Sequence, residues 1–424
     1  MTITFKGTRL LIAALLIATT SACSGPQHNE NEYWVDSVSP SNNSATRTTT
    51  TQNTTPVAKK TKPSIYVYVE NSGSMYGYVG TGDGSDFRNM VYNYLTDIKL
   101  SDLFANMHLN FVNSSVIPKG SAVDVFVKNL NPTSFKVSGG NSGATDILEI
   151  IKRVYPKSGD VSVLISDCII SPGKGNNASE YLEAQQTGIK GFMGQKNLRN
   201  SGVIVYRMLG RFKGYYYDTV DNKQQYVGIR PYYVWVMGDM SALKGLRVVT
   251  EPKMKAKPDQ ICVISMGDAK PKYGIVRGGG NYKVVNYNTI QKVKKMKTMG
   301  GKRVVIKMNV DYSNILQDSA YLTNISYYQI DNPSFRIDNI IKMKNTDNYI
   351  ITMSSPINMN GTLTVRLKNK PPQWVVKCSD CDGGFPDPNA KPQTTYGLAY
   401  LIGGAYDAYT DKGNNLAEMK INIK

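Results

Sequence analysis

Residues 64–75 read SIYVYVENSGSM. A run of apolar and aromatic residues, Ile65 through Val69, ends at a carboxylate, Glu70. Two hydroxyls follow at alternate positions, Ser72 and Ser74, with Gly73 between them. A β run without a polar face is the pattern of a central strand covered on both sides by helices. The chain downstream continues this pattern. A glycine-rich loop leads into FRNMVYNYLTDIKL, where Phe87, Met90, Val91, Tyr94, Leu95 and Ile98 recur with the helical period and Asp86 stands as N-cap. Strands follow over 107–112 and 123–127, then a helix over 145–155 with Ile147, Ile150, Ile151 and Val154 on one face. A buried strand covers 160–166, a helix 179–198 and a strand 203–209. After a Tyr-rich hairpin comes a strand over 232–237, and then a helix from about Ser241. Strands alternating with helices predict an α/β fold over residues 63–250, a doubly wound, mainly parallel, Rossmann-like sheet. Such a sheet places its ligand at the carboxyl ends of its strands.

Three separated pieces of sequence point to that edge. Glu70, Ser72 and Ser74 lie just past the first strand. Thr145 sits in GGNSGATDI, a loop that opens into a helix, and Asp167 ends the strand VLISD. Two carboxylates and three hydroxyls, with no nitrogen or sulfur, are the donors of a hard divalent cation such as Mg²⁺ or Mn²⁺. Neutral hydroxyl ligands leave such a cation electron-poor, so that it seeks an anionic oxygen. With these residues in view, 63–250 resembles a von Willebrand factor type A domain with its metal-ion-dependent adhesion site. The family signature is Asp-x-Ser-x-Ser, then a Thr, then an Asp at a strand end; here Glu70 stands in the first position and Cys168 follows Asp167 in place of a common Gly. The resemblance implies that Ser72, Ser74 and Thr145 contact the metal directly. It further implies that Glu70 and Asp167 act through water, and that a carboxylate on a protein partner fills the open position. Tyr76 and Tyr78, in the loop beside the site, are candidates for contact with that partner.

The N-terminus bears on location. Lys6 and Arg9 precede an apolar stretch over 10–18, and small residues lead to Cys23. This resembles a bacterial lipoprotein signal peptide over 1–22, with Cys23 lipidated, although Thr20 replaces the usual Leu of the cleavage box. Ser24 after the cysteine implies the outer membrane by the family's sorting rule. Residues 23–62, rich in Thr, Asn and Ser, are expected to form a disordered tether. The membrane is reached through the lipid alone.

At 424 residues the chain is long enough for two or three domains, and 41% hydrophobic residues supply a core. The formal net charge is +18, and 251–310 holds fourteen Lys and Arg against three acids. No nucleic-acid motif accompanies this basic stretch, so a basic solvated face or a belt for an acidic partner is expected, and nucleic acid is not. Residues 251–302 are expected to connect to a β-rich, sandwich-like domain over 303–424, where RVVIKMNV, YLTNISYYQI, YIITMSS, TLTVRLK and QWVVK alternate between turn residues. Cys378 and Cys381 form a CxxC in a Gly/Asp/Pro-rich loop. With two histidines in the chain a zinc site lacks ligands, and a local disulfide is expected.

Ser72 and Ser74 lack a histidine base, since His28 lies in the tether and His108 at a strand start, and no P-loop or dinucleotide fingerprint occurs. A binding protein rather than an enzyme is expected: a lipid-anchored adhesion or assembly protein working through the cation site. The alternatives are a metal-independent envelope scaffold that uses the basic belt or the β-domain, and, more remotely, a metal-dependent hydrolase.

Overall fold

Strand β1 (Ser64–Glu70) forms where aliphatic residues alternate with tyrosines. Ile65, Val67 and Val69 are fully buried on one face, and Tyr66 and Tyr68 are partly buried on the other. Burying each aliphatic side chain stabilises the fold by about 1.5–3 kcal/mol. The computed structural model describes residues 62–80, 85–141, 143, 146–267, 269–291, 296–298, 301–410 and 413–424. The signal peptide, Cys23 and nearly all of the tether lie outside the described residues.

Six more strands join β1. They are β2 (Asn106–Val112), β3 (Val116–Pro118), β4 (Val161–Ser166), β5 (Ser201–Tyr217), β6 (Lys223–Asp239) and β7 (Gln260–Ser265). The spatial order is β3-β2-β1-β4-β6-β5-β7. Strands β2, β1 and β4 are parallel, whereas β3, β6 and β7 each run antiparallel to their neighbours. The sheet is therefore mixed, which corrects the expectation of a mainly parallel one. The cause is the hairpin. Asp218 accepts hydrogen bonds from Val220 N and Asn222 N, and Asp221 adopts a φ of 61°. This tight turn sends β6 straight back along β5 without a crossover helix, and strands joined in that way are antiparallel. β6 thereby takes the place beside β4.

Helices cover both faces. They are α1 (Tyr76–Val79), α2 (Asp86–Leu100), α3 (Val123–Lys128), α4 (Pro132–Val137), α5 (Ile147–Val154), α6 (Ala178–Gly194), α7 (Met240–Thr250), α8 (Ser319–Thr323), α9 (Gln373–Lys377) and α10 (Leu398–Thr410). On one face α2, α3, α4 and α7 pack over Val67, Val163, Ile204 and Val234. On the other, α5, α6 and α10 pack over Leu164, Val205 and Trp235. Ser85 caps α2 rather than Asp86, because the Asp86 carboxylate is drawn to Arg211 Nε and Nη2. Residues 123–127 are helical rather than extended. Val123 and Phe126, three apart, are buried, while Val125 points to solvent.

The boundary expected at residue 250 falls inside this layered body. β7 extends the sheet, and α10 returns from near the C-terminus to cover it, so close to α6 that a Cβ on Gly404 would lie 2.5 Å from Gln186 O. Residues Lys60–Lys424 cluster as one unit. The remaining strands are β8 (Lys272–Ile275), β9 (Lys283–Asn286), β10 (Thr289–Gln291), β11 (Met296–Thr298), β12 (Gly301–Asp311), β13 (Tyr328–Ile330), β14 (Arg336–Lys342), β15 (Asn348–Ser355), β16 (Gly361–Lys368), β17 (Ser379–Asp380), β18 (Thr395–Tyr396) and β19 (Asn415–Ile423). Two five-stranded sheets, β13-β16-β19-β10-β9 and β11-β12-β15-β14 with β8 on β12, share one core of Ile306, Met308, Ile351, Val365, Met419 and Ile421. Two expected strands are helical here: QWVVK is α9, set off by Pro372, and YLTNISYYQI opens with α8 before reaching β13.

The loop after β1 depends on small residues where the hairpin crosses it. A Cβ on Gly77 would lie 2.3 Å from Cζ of the buried Phe212 ring, and Gly214 closes the same contact from the hairpin side. Gly77→Ala is expected to destabilise the protein by about 1–3 kcal/mol, seen as a lower thermal midpoint. Gly73→Ala, whose Cβ would meet nothing nearer than Tyr217 Oη at 3.6 Å, is expected to leave the midpoint unchanged.

Candidate functional site

β1 and β4 are parallel neighbours with Val69 opposite Ile165, so Glu70 and Ser166 leave the sheet side by side. Ser166 Oγ donates a hydrogen bond to Glu70 Oε2 and accepts one from Cys168 N at 2.8 Å. The chain after Glu70 bends into a single 3₁₀ turn, Gly73–Met75, closed by Met75 N donating to Ser72 O at 3.1 Å. This turn aims both serines at one point, with their Oγ atoms 3.0 Å apart. Ser72 hydrogen-bonds Glu70, and Ser74 hydrogen-bonds Asp167. Four of the five expected ligands thus converge at the carboxyl edge, from two segments almost a hundred residues apart. The fifth, Thr145, lies outside the described residues. Asp146, next to it, caps α5 by accepting from Leu148 N at 2.8 Å, and it also accepts from Tyr181 Oη and Gln185 Nε2 of α6.

The backbone after Asp167 is held in an uncommon conformation. Cys168 has a φ of 55°, which disfavours any residue but glycine, and it is buried. The Ser166 hydroxyl on Cys168 N and the Asp167 carboxylate on Ile169 N, at 3.4 Å, hold this bend.

Glu70, Ser72 and Asp167 are all buried. Burial pushes the Glu70 carboxyl up to about 7, the neighbouring Asp167 charge adds to the rise, and the hydroxyls of Ser166 and Ser72 oppose it. Asp167 is likewise raised by burial, against the Ser74 hydroxyl and the positive charge of Arg230. Two adjacent buried carboxyls that resist ionising form a setting in which a nearby cation would be favoured. Cis ligands about 2.1 Å from an octahedral Mg²⁺ lie about 3 Å apart, the separation of the two serine oxygens. Ser72 and Ser74 would hold the ion, with Glu70 and Asp167 behind them. Among the described residues no group of three or more His, Cys, Asp or Glu gathers into a metal centre, at this site or elsewhere.

Several expected roles are corrected. Tyr78 cannot touch a partner: it is fully buried, its hydroxyl donates to Pro231 O, and its ring packs edge-on against Phe212 and Tyr232. Tyr76 is half-buried beside Phe135 and Lys136. Cys378 and Cys381 are separate thiols. The two residues between them form β17, paired with β18, and positions three apart on an extended strand face opposite ways. Cys378 accordingly points into the core while Cys381 is exposed. His108 stacks on Tyr66 at 4.6 Å, four positions or roughly 13 Å along β2 from Val112, the partner of Glu70.

Three further residues at the site lie outside the sequence-based assignment. Ser166 holds Glu70. Tyr217 places its hydroxyl over Gly73. Arg230 is fully buried, its guanidinium 4.4 Å from the Tyr216 ring and 5.5 Å from that of Tyr226. Tyr217 and Arg230 reach the site because the hairpin folds over it. A polar residue ending an otherwise apolar buried strand was the available hint for Ser166. No protein-family model matches the chain, and neither a curated protein nor a solved structure is similar to it.

The buried pair makes stability depend on pH. Folded, Glu70 keeps its proton to about pH 7, while its ordinary value is 4.5. The folded state therefore binds more protons between those values. Stability of the metal-free protein falls as pH rises through that window, by on the order of 3 kcal/mol at most. Thermal unfolding in EDTA is expected to show a lower midpoint at about pH 8 than at about pH 5, with most of the difference absent in Glu70→Gln. Saturating Mg²⁺ should restore the midpoint at the higher pH and do little at the lower one, where protons compete for the carboxylates.

Proposed function

We propose that the chain is a lipid-anchored protein of the cell envelope whose α/β body is a von Willebrand factor type A-like binding module. In this reading the module holds one Mg²⁺ or Mn²⁺ and captures a protein partner through a carboxylate. The observation that carries the proposal is the convergence of Ser72, Ser74, Glu70 and Asp167 at the carboxyl edge of two adjacent parallel strands. Ser72 and Ser74 would contact the ion, joined by Thr145, while Glu70 and Asp167 would act through water. A bound divalent ion would supply an electron-poor position for the partner's oxygen. The order β3-β2-β1-β4 with three parallel strands is in keeping with the family's sheet, and the β5–β6 hairpin is a departure from it. The extra methylene of Glu70 is tolerable in a residue that acts through water.

No reaction is assigned to the site. Among the described residues the serines lack a histidine within reach, and hydroxyl-rich ligation with an open position suits anion capture. The lipid on Cys23 and an outer-membrane location belong to the same proposal. They rest on the N-terminal sequence.

The positive charge of Arg230 stabilises the Asp167 anion and at the same time opposes a second cation nearby. A modest affinity is therefore expected. Calorimetric titration of the chain from residue 63 with Mn²⁺ or Mg²⁺ should show one saturable site. Ser72→Ala or Asp167→Ala should weaken it at least tenfold, about 1.4 kcal/mol. Binding of partner that survives EDTA but fails in high salt would instead favour the metal-independent scaffold that uses the basic belt.

A further inference from the structure

We propose that the outer face of the β5–β6 hairpin is the docking surface for an acidic, extended segment of the protein partner. Strand β7 pairs with β5 as far as Arg207, and β4 pairs with β6 from Tyr233 onward. Residues 209–217 and 223–231 therefore pair as strands with each other, as a two-stranded ribbon about 30 Å long. It runs past the end of β4, over the carboxyl edge where the serines lie.

The two faces of this ribbon differ in chemistry. Phe212, Tyr216, Tyr226 and Arg230 point inward and are buried against the loop after β1. The outer face carries Leu209, Tyr215, Val227 and Ile229, which are 41%, 46%, 67% and 42% exposed. Folding does not require them, since the inner face already anchors the ribbon. Apolar side chains gathered on one exposed face mark an interaction surface.

The charge on that face identifies the partner. Arg211 lies opposite Ile229, Lys213 opposite Val227 and Lys223 opposite Tyr217. The outer positions of both strands include no Asp or Glu. Asp86, from α2, meets Arg211 at 2.9 Å, and the Asp218 carboxylate is occupied by the amides of its own turn. Lys213 and Lys223 are exposed, the latter with its Nζ 5.2 Å from the Tyr215 ring. The outer positions are Leu209, Arg211, Lys213, Tyr215 and Tyr217 on β5 and Lys223, Gln225, Val227, Ile229 and Pro231 on β6, so basic and apolar side chains share one narrow face along the ribbon. An extended segment of about nine residues spans the ribbon and turns every second side chain toward it, so those side chains must include both acidic and apolar residues. A second copy of this chain would bring the same cations face to face, so it is a poorer occupant.

The face is continuous with the site. Tyr217, its last residue on β5, puts its hydroxyl beside Gly73. A segment lying along the ribbon would deliver a carboxylate to Ser72 and Ser74 at one end and set its apolar residues on Val227 and Ile229. This delivery rests on the function proposed above, which supplies the cation; the face itself does not.

The test uses the folded chain and a fluorescent peptide of about nine residues, a Glu-Glu-Val-Val repeat that sets Glu and Val in turn on each face of an extended strand, to match the ribbon length. Saturable binding is expected in anisotropy, weakening as salt rises. The double variant Lys213→Glu/Lys223→Glu should reduce affinity at least tenfold, and a Lys/Val peptide should not bind. Should the double variant fail to fold, Lys213→Gln/Lys223→Gln serves in its place with a smaller loss. The proposal is overturned if the peptide does not bind, or if the Lys/Val peptide binds as well. Displacement by a single-stranded oligonucleotide at equal concentration, marking a mere polyanion surface, or an indifferent charge-swapped variant overturns it too. EDTA separates the two proposals. Binding lost on charge reversal but kept in EDTA upholds the face and removes the cation; the reverse pattern upholds the cation and removes the face.

Discussion

Two carboxylates sit side by side in the interior, at the ends of adjacent parallel strands, and the rest of the structure is arranged around that cost. Parallel pairing of β1 with β4 brings Glu70 and Asp167 to one edge. Burial raises both acids, and each is met by hydroxyls: Ser72 of the following loop and Ser166 of β4 for Glu70, Ser74 for Asp167. An unpaired charge in such a place is severely unfavourable, whereas one shared with protons, hydroxyls or a cation is not. The left-handed bend at Cys168 and the 3₁₀ turn at Gly73–Met75 are the backbone conditions for those contacts.

The hairpin and the C-terminal elements solve a second problem, the exposed edges of a sheet. β6 folds back to occupy the open side of β4, and β7 becomes the edge. Unpaired carbonyls on an edge invite another chain. Here they are taken by side chains from distant segments. Trp374 Nε1 donates to Ile261 O at 3.1 Å, Gln317 Nε2 and Tyr406 Oη donate to Val263 O at 2.8 and 2.9 Å, and Asn369 Nδ2 donates to Ser265 O at 2.8 Å. These bonds tie the β-rich sheets and α10 to the α/β body, so a division of the chain at residue 250 has no counterpart in the packing. The CxxC segment belongs to the same layer. Cys378 is buried with α9 and α10 because it is a small apolar residue there, not half of a cross-link.

Much of the α/β half is legible in the sequence because its periodicities are strong. The stripe from Phe87 to Ile98 gives α2, and the stripe from Ile147 to Val154 gives α5. The serine pair and Asp167 are legible because hydroxyls and carboxylates at strand ends are rare enough to stand out. Thr145 remains a sequence-based assignment. The failures share one cause. VDVFVK and QWVVK have β-branched composition, yet their few buried positions, Val123 with Phe126 and Val375 alone, are set by what lies across from them. Tyr78 looks like a surface aromatic in a glycine-rich loop and is buried because a hairpin from 140 residues later closes over it.

By itself the sequence determined the strongly periodic strands and helices of the first half, the oxygen-only chemistry of the site, and the strongly basic character of the chain. These are local properties, written in spacing and side-chain type. Tertiary structure alone decided the direction of β6, the return of α10 onto the sheet, and the presence of Arg230 and Tyr217 beside the serines. Each of these depends on which distant surface is free to be covered, and a contact between remote segments leaves no period in either one.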